Sequence, residues 1–435
     1  MNMRIVALML TVPAVIAAKA QQERRMTVDE LFQLVESNSK TLQEQKISVE
    51  FATKGVEAAR SQRLPDVNAT LSASYNGNVV VMNRDFTDAN SYSAPHLGTS
   101  FALEAQQVVY AGGAIDAGIR MAELQRDMAV SNRRAVLSGQ RFQALGQYLD
   151  LVKIQNRLTV YEKNIELAQR LIDDIRAKHE QGMALRNDVT RYELQMETLR
   201  LGLRKLQDER AIVNYQLCNT LGLKDVILMP DSAVAQGQVP MTLENRDWLQ
   251  TALTSSPAVE QSQLSTRLAQ QQLRLAKSEL RPKVAIVAAD NLSGPFTYDL
   301  PPVDKTINYW YVGVGVNYNV SALFKSNRKV QQAATGISRS EAQQQVTAEA
   351  LSNQVQQAHT LYLQSFAELE MQQKSVELAR QNYQVVSDRY LSQLALITDM
   401  LDASNIRLNA ELQEVDACIN IVYNYYKMKF ISGIL

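Results

Sequence analysis

Glycine and proline are scarce in this chain, 17 and 10 among 435 residues. Few points can therefore turn or break a regular element. Cys218 and Cys418 are the only cysteines, and His96, His179 and His359 the only histidines. The histidines have no metal-ligand spacing with one another or with a cysteine, so neither a metal nor another cofactor is expected. An excess of charge is also missing: Lys+Arg and Asp+Glu both count 45. Without a basic run there is no electrostatic footprint for nucleic acid. No Ser/His/Asp or Cys/His constellation and no phosphate loop stands out, which argues against an enzyme. After residue 20 there is no apolar run of transmembrane-helix length.

What is present begins with a leader. Arg4 precedes the apolar run Ile5 to Ala17, and Ala18-Lys19-Ala20 forms an A-x-A cleavage pattern before Gln21. Residues 1–20 are read as a signal peptide. The run is short for a membrane anchor, and no cysteine follows it to carry a lipid at this site. An exported chain of this kind is either soluble or inserted as a β-barrel.

Thr27-Val28-Asp29-Glu30 fits a capping box, with Thr27 as N-cap. A helix is expected from there to about Gln62, stopped by Pro65. The period then changes to two. Val67, Ala69, Leu71, Ala73 and Tyr75 alternate with Asn68, Thr70, Ser72, Ser74 and Asn76, a strand with one apolar face over about 67–77. Residues 83–96 are polar and read as a loop. A second strand, about 97–110, carries Leu97, Phe101, Leu103 and Val109 on one parity. From Ala114 to Gln181 there is no proline, and Leu151, Ile154, Leu158, Tyr161, Ile165, Ala168, Ile172 and Ile175 step as a heptad seam. Such a helix would be roughly 100 Å long, out of scale for an ordinary globular domain. Gly182 marks a turn, and a second long helix runs over 188–222. A polar linker, 223–241, closes the first half.

The order then repeats: a helix from about Thr242 to before Pro282, strands at about 284–291 and 309–320, and long helices at 326–392 and 399–430. In the last strand Trp310, Val312, Val314, Val316, Tyr318 and Val320 share one parity. The repeat is direct. A shift of 211 positions lays His179–Leu223 over Tyr390–Ile434, with Ala184/Ala395, Leu185/Leu396, Asp188/Asp399, Leu201/Leu412, Tyr215/Tyr426 and Gly222/Gly433 identical. The halves are thus 21–222 and 242–435. The same shift sets Cys218 against Lys429, leaving the cysteines roughly 16 Å apart along parallel helices. A disulfide needs Cα atoms within about 7 Å, so both cysteines are expected free.

Four strands cannot close a membrane barrel, for which about eight is the smallest common number. An open edge in lipid costs several kcal/mol for each unpaired backbone group. Three copies would supply about twelve strands. The apolar parity, with Leu71, Tyr75, Phe101, Trp310, Val312 and Val314, would then face lipid or its interface, and aromatics near strand ends suit that interface.

At this point the chain resembles the TolC-like outer-membrane efflux protein family over nearly its whole mature length. The landmarks are Leu64-Pro65-Asp66-Val67, Tyr110-Ala111-Gly112-Gly113, and the two helix turns at 180–189 and 390–403. The resemblance implies a mainly α fold with a small antiparallel β part. It implies a homotrimer with a twelve-stranded barrel in outer-membrane lipid and an α-helical tunnel in the periplasm, with the linker at the tunnel's equator. It implies a pore gate at Asp399 and Asp402, whose copies would ring a narrow mouth, attract cations and repel anions. Asp399 could equally serve as a helix N-cap, and Asp402 as a first-turn acid. Asp188 and Tyr390 match two members of a closed-state contact whose third, an arginine, is Ala395 here, unless Arg186 or Arg389 supplies it. Gln393 stands where the second turn would have glycine. Gly182, Met183, Ala184 and Leu394 are candidates for touching a periplasmic membrane-fusion adaptor, itself joined to an inner-membrane transporter. The implied function is a gated outer-membrane channel in efflux or type I secretion, passing small molecules such as drugs. The competing expectation is a soluble periplasmic coiled-coil scaffold without a barrel.

Overall fold

The structure is a computed structural model that describes residues 22–231, 247–297, 299 and 301–435. The leader and the expected helix start near Thr242 lie outside the described residues. In chain order the elements are β1 (Gln22–Met26), α1 (Val28–Asn38), α2 (Lys40–Ser61), β2 (Asp66–Tyr75), β3 (Val79–Val81), β4 (Asn90–Tyr92), β5 (Leu97–Tyr110), α3 (Ala114–Glu180), α4 (Arg186–Leu221) and β6 (Val226–Pro230). They continue with α5 (Trp248–Ser255), α6 (Pro257–Ser278), β7 (Lys283–Gly294), β8 (Ile307–Asn317), α7 (Ala322–Leu391) and α8 (Ile397–Ile431). The four long helices and four main strands fall where periodicity puts them, with ends shifted by a few residues. No described helix is long and apolar enough to cross a membrane.

The chain divides into two compact units. One comprises the described residues within Met1–Lys40, Gly139–Glu244 and Ala358–Met428; the other comprises those within Thr41–Ser138, Asn245–Gln357 and Lys429–Leu435. In the first, the heptad seam of α3 is the core: Leu151, Ile154, Leu158, Ala168, Ile172 and Ile175 are buried, with Tyr161 and Ile165 half-buried beside them. Burying one such aliphatic side chain is worth about 1.5–3 kcal/mol. α3 and α4 approach closely at Gly202, where an added Cβ would meet the Tyr161 ring at 2.4 Å. Both cysteines are free, and burial pushes each thiol above its usual pKa.

Three expectations are corrected. The helix expected from Thr27 to Gln62 is two helices, because Ser39 is extended and Asn38 turns its amide onto the Leu221 carbonyl at 2.8 Å. Thr27 does cap α1, accepting from the Glu30 N–H at 3.3 Å, but the Glu30 carboxylate goes to Arg24 instead of back to Thr27. The helix before Pro282 is broken in the same way. Ser256 is extended and Pro257 opens α6, since the residue before proline avoids helical angles while proline suits a first helical position. Ser39 and Ser256 differ by the same 217 positions that separate Pro65 and Pro282, so the break belongs to the repeat. Last, the linker at 223–241 contains β6, which pairs in parallel with β1. Tyr148 ties the pair down: its hydroxyl donates to the Met26 carbonyl and accepts from the Asp231 N–H, both at 2.8 Å. The polar loop at 83–96 is likewise part of a short hairpin, β3 with β4.

Candidate functional site

Two regions carry the expected functional residues. The first is the antiparallel sheet β2-β5-β7-β8. Its register decides which side chains share a face, because directly paired residues point the same way. Val67, Ala105, Ala288 and Val312 pair across all four strands, as do Ala69, Leu103, Asp290 and Trp310, while Leu71, Phe101 and Leu292 pair across three. The apolar parities expected from separate strands thus merge into one face. Leu71 is 78% exposed and Trp310 74% in the single chain, and Tyr75, Phe101, Val312 and Val314 are exposed too. Asn68, Glu104, Thr70, Ser72 and Ser100 share the other face, where the Ser72 and Ser100 hydroxyls bond at 2.7 Å. Asp290 is an exception that alternation did not flag, an acid beside Trp310 on the apolar side. Among the described residues nothing pairs with the outer edges of β2 and β8.

The second region is the pair of helix turns. Both end a helix with the same hydrogen bonds. In the first, the Gly182 N–H donates to His179 and the Met183 N–H to Lys178; in the second, Gln393 donates to Tyr390 and Leu394 to Arg389. Each is a Schellman closure, which needs a left-handed residue at its bend. Gly182 has φ +76° and Gln393 φ +64°, so Gln393 adopts the conformation of the glycine it replaces, at a steric cost. Gln393→Gly is expected to stabilise the protein by about 0.5–1 kcal/mol and Gly182→Ala to destabilise it by about 1 kcal/mol, measured as opposite shifts in thermal midpoint.

The next helices also start alike. The Asp188 carboxylate accepts from the Leu185 N–H at 3.3 Å, and the Asp399 carboxylate from the Leu396 N–H at 3.0 Å. Asp399 therefore is not itself the N-cap; it stands three residues inside the helix and reaches back to the cap residue. Asp402 is exposed one turn on. Tyr390 is 8% exposed, and burial, with the nearby Asp188 charge adding to it, pushes its hydroxyl up to about 12. Among the described residues no hydrogen bond joins Asp188 to Tyr390. Instead the Lys178 ammonium lies 5.8 Å from the Tyr390 ring centre and donates to the Leu391 carbonyl. Ala395 packs half-buried against the hydrophobic cluster of the turns, and among the described residues Arg186 and Arg389 form no ion pair. Met183 and Leu394 are exposed, as are Leu185 and Leu396, which the turn motifs did not single out; Ala184 is half-buried.

A buried polar network was also missed. Arg407 is 5% exposed. It donates to the Asn164 side-chain oxygen at 2.8 Å and lies 3.7 Å from the Tyr383 ring centre. Asn164 donates to Glu411 at 3.0 Å, and Glu411 accepts from Arg380. Sequence offered one signal for it: by the 211 shift Arg407 falls on Met196 and Tyr383 on Ile172, polar groups at the core positions of an otherwise apolar repeat. Among the described residues no cluster of His, Cys, Asp and Glu could hold a metal.

The model of the outer membrane efflux protein family, OEP, matches residues 31–223 and 248–424. This chain belongs to that family. No curated protein matches the sequence. Among solved structures, the outer membrane protein VceC of Vibrio cholerae superposes with a TM-score of 0.75 at 15% identity, covering 93% of this chain and 96% of its own. CusC, described for its transmembrane channel formation, gives 0.79 at 14% identity and covers 94% and 92%. The CmeC outer membrane channel of Campylobacter jejuni gives 0.74 at 13% identity and covers 99% and 94%. At such identities the likeness is one of fold: the α-helical and four-stranded architecture of the TolC-like channels.

Proposed function

We propose that three copies of this chain form an outer-membrane channel whose helical part lies in the periplasm and whose four-stranded sheets close into one twelve-stranded barrel. One observation carries this reading: a sheet with one largely apolar face, interrupted at Asp290 and Asn308, and, among the described residues, unpaired edges on β2 and β8. Strands alternate in direction along the order β2-β5-β7-β8, so β8 runs opposite to β2. The free edge of β8 can then pair antiparallel with the β2 edge of a second copy, and three such joins leave no edge open to lipid. The polar face of Asn68, Ser72, Ser100 and Glu104 would line the water-filled interior. The exposed turn residues Met183 and Leu394, with Gly182 and Ala184 between the helices, are the surface offered to a periplasmic adaptor, which would link the channel to an inner-membrane transporter. The cargo class is small molecules such as drugs.

Cell fractionation tests the core of this. The protein is expected in the outer-membrane fraction, and native mass spectrometry of the detergent-extracted form should give three chains. Recovery with the soluble periplasm as a single chain would favour a coiled-coil scaffold instead.

A further inference from the structure

The start of α7 has two faces. Ala322, Ser326 and Lys329 follow helical spacing on one face: Ala322 and Ser326 are buried, and Lys329 is exposed at its edge. The Ser326 hydroxyl and the Lys329 ammonium both bond the Glu279 carboxylate, each at 3.0 Å. These bonds hold the Glu279 carboxyl below its usual pKa, the Lys329 bond foremost, and pin the first turns of α7 to the end of α6. The other face is left bare. Phe324 is 80% exposed, and Leu323 is exposed beside it. Lys325 and Arg328 are exposed, and among the described residues neither meets an anion.

This bare face continues the sheet. Val316, Tyr318 and Val320 carry the apolar parity of β8 toward it, all exposed. The Lys283 and Asn317 ends of β7 and β8 are paired, so Phe324 follows the end of the sheet from which the long helices leave. Resting on the barrel reading above, we infer that the first turns of α7 are an interfacial anchor for the phospholipid leaflet on the periplasmic side. Phe324 and Leu323 enter the boundary between headgroups and acyl chains. Lys325 and Arg328 hold lipid phosphates, their stems lying along the apolar layer. Apolar side chains set among unpaired cations are the pattern that suits an anionic lipid surface. A contact with a second copy would instead have to bury both charges.

The test uses the full-length trimer in vesicles of phosphatidylethanolamine and phosphatidylglycerol. Trp248 and Trp310 are the only tryptophans, so Phe324→Trp can be read with both replaced by phenylalanine, and Trp310 can be read alone with Trp248→Phe. Phospholipid brominated close to the headgroup should quench the indole introduced by Phe324→Trp more strongly than lipid brominated near the chain end. Quenching of Trp310 without quenching at position 324 would overturn the anchor and leave the barrel standing. Quenching at neither position would remove the barrel reading as well. In native mass spectra, Lys325→Gln and Arg328→Gln should each lower retained phosphatidylglycerol, roughly fivefold per cation removed. If these variants dissociate the trimer with lipid retention unchanged, the face contacts a second copy and the inference fails.

Discussion

Asn164→Leu is expected to destabilise the protein more than Arg407→Met, although the arginine carries the charge. Asn164 is the hub. Its amide donates to the Val160 carbonyl and to Glu411, and its oxygen accepts from Arg407. Without it, the Arg407 guanidinium stays buried with only the Tyr383 ring against it, and its Nε already lacks a partner. Removing one partner of a buried charge costs about 3–5 kcal/mol. Arg407→Met removes the charge together with its demand. The first repeat already accommodates methionine at this position, since Met196 is buried. Replacing a buried ionic group by an apolar one of similar volume is close to neutral, within about 1–2 kcal/mol of either sign. The double variant should recover most of the loss caused by Asn164→Leu, a coupling that a thermodynamic cycle isolates. Thermal melting of the purified protein, compared at one scan rate because large assemblies unfold irreversibly, reads all three. Equal losses in the two single variants, with no recovery in the double, would show that Asn164 does not hold the arginine. The network also marks a difference between the two repeats. Arg407 on α8 reaches Asn164 on α3, whereas Met196 and Ser375 stand at the positions that match them under the 211 shift.

Much of this architecture was legible in the sequence because it rests on long periodic patterns. Heptads through α3 and alternation in β2 and β8 repeat often enough to dominate local propensity. The shift of 211 positions supplied a second reading of every element in the last half of each repeat. The failures were local. Ser39 and Ser256 each break a helix at a single residue, and only the second has a proline after it as a flag. β6 is five residues long and pairs with β1, some 200 positions away in sequence; no pattern within either segment reveals that partner. Asp290 sits on the apolar face for reasons of register with Trp310, which alternation within β7 does not report. The site residues divide in the same way. Asp188 and Asp399 could be located by motif, but that both cap the preceding backbone, with equal geometry in both repeats, depends on the fold of the turn. Arg407 was hard to read as a site because a single cation on a helix normally reads as a solvated one, and only its place opposite Met196 under the 211 shift pointed inward.

Removing the negative charge at Asp399 and Asp402 together is expected to raise single-channel conductance several-fold in planar bilayers and to weaken the preference for cations. The two acids are on the exposed first turns of α8, and in a trimer each would be present three times around one mouth. A ring of carboxylates concentrates cations and excludes anions at a constriction. The choice of substitution matters, because Asp399 also accepts the Leu396 N–H. Asp399→Ala deletes the charge and the bond back to the cap residue together, and loss of such a capping contact costs about 0.3–1.5 kcal/mol. Asp399→Asn removes the charge but leaves an oxygen able to accept. If charge at the mouth governs conduction, Asp399→Asn with Asp402→Asn should reproduce most of the change seen with alanine. That change should shrink at molar salt, where screening acts within about 3 Å. If loosening of the helix start governs it, only the alanine form should conduct more, and salt should matter little. Conductance and cation preference unaltered in both forms would remove Asp399 and Asp402 from the gate. The constriction would then have to be sought among the apolar turn residues, with Leu394 and Leu396 first, since hydrophobic rings close a pore by excluding water and not by charge.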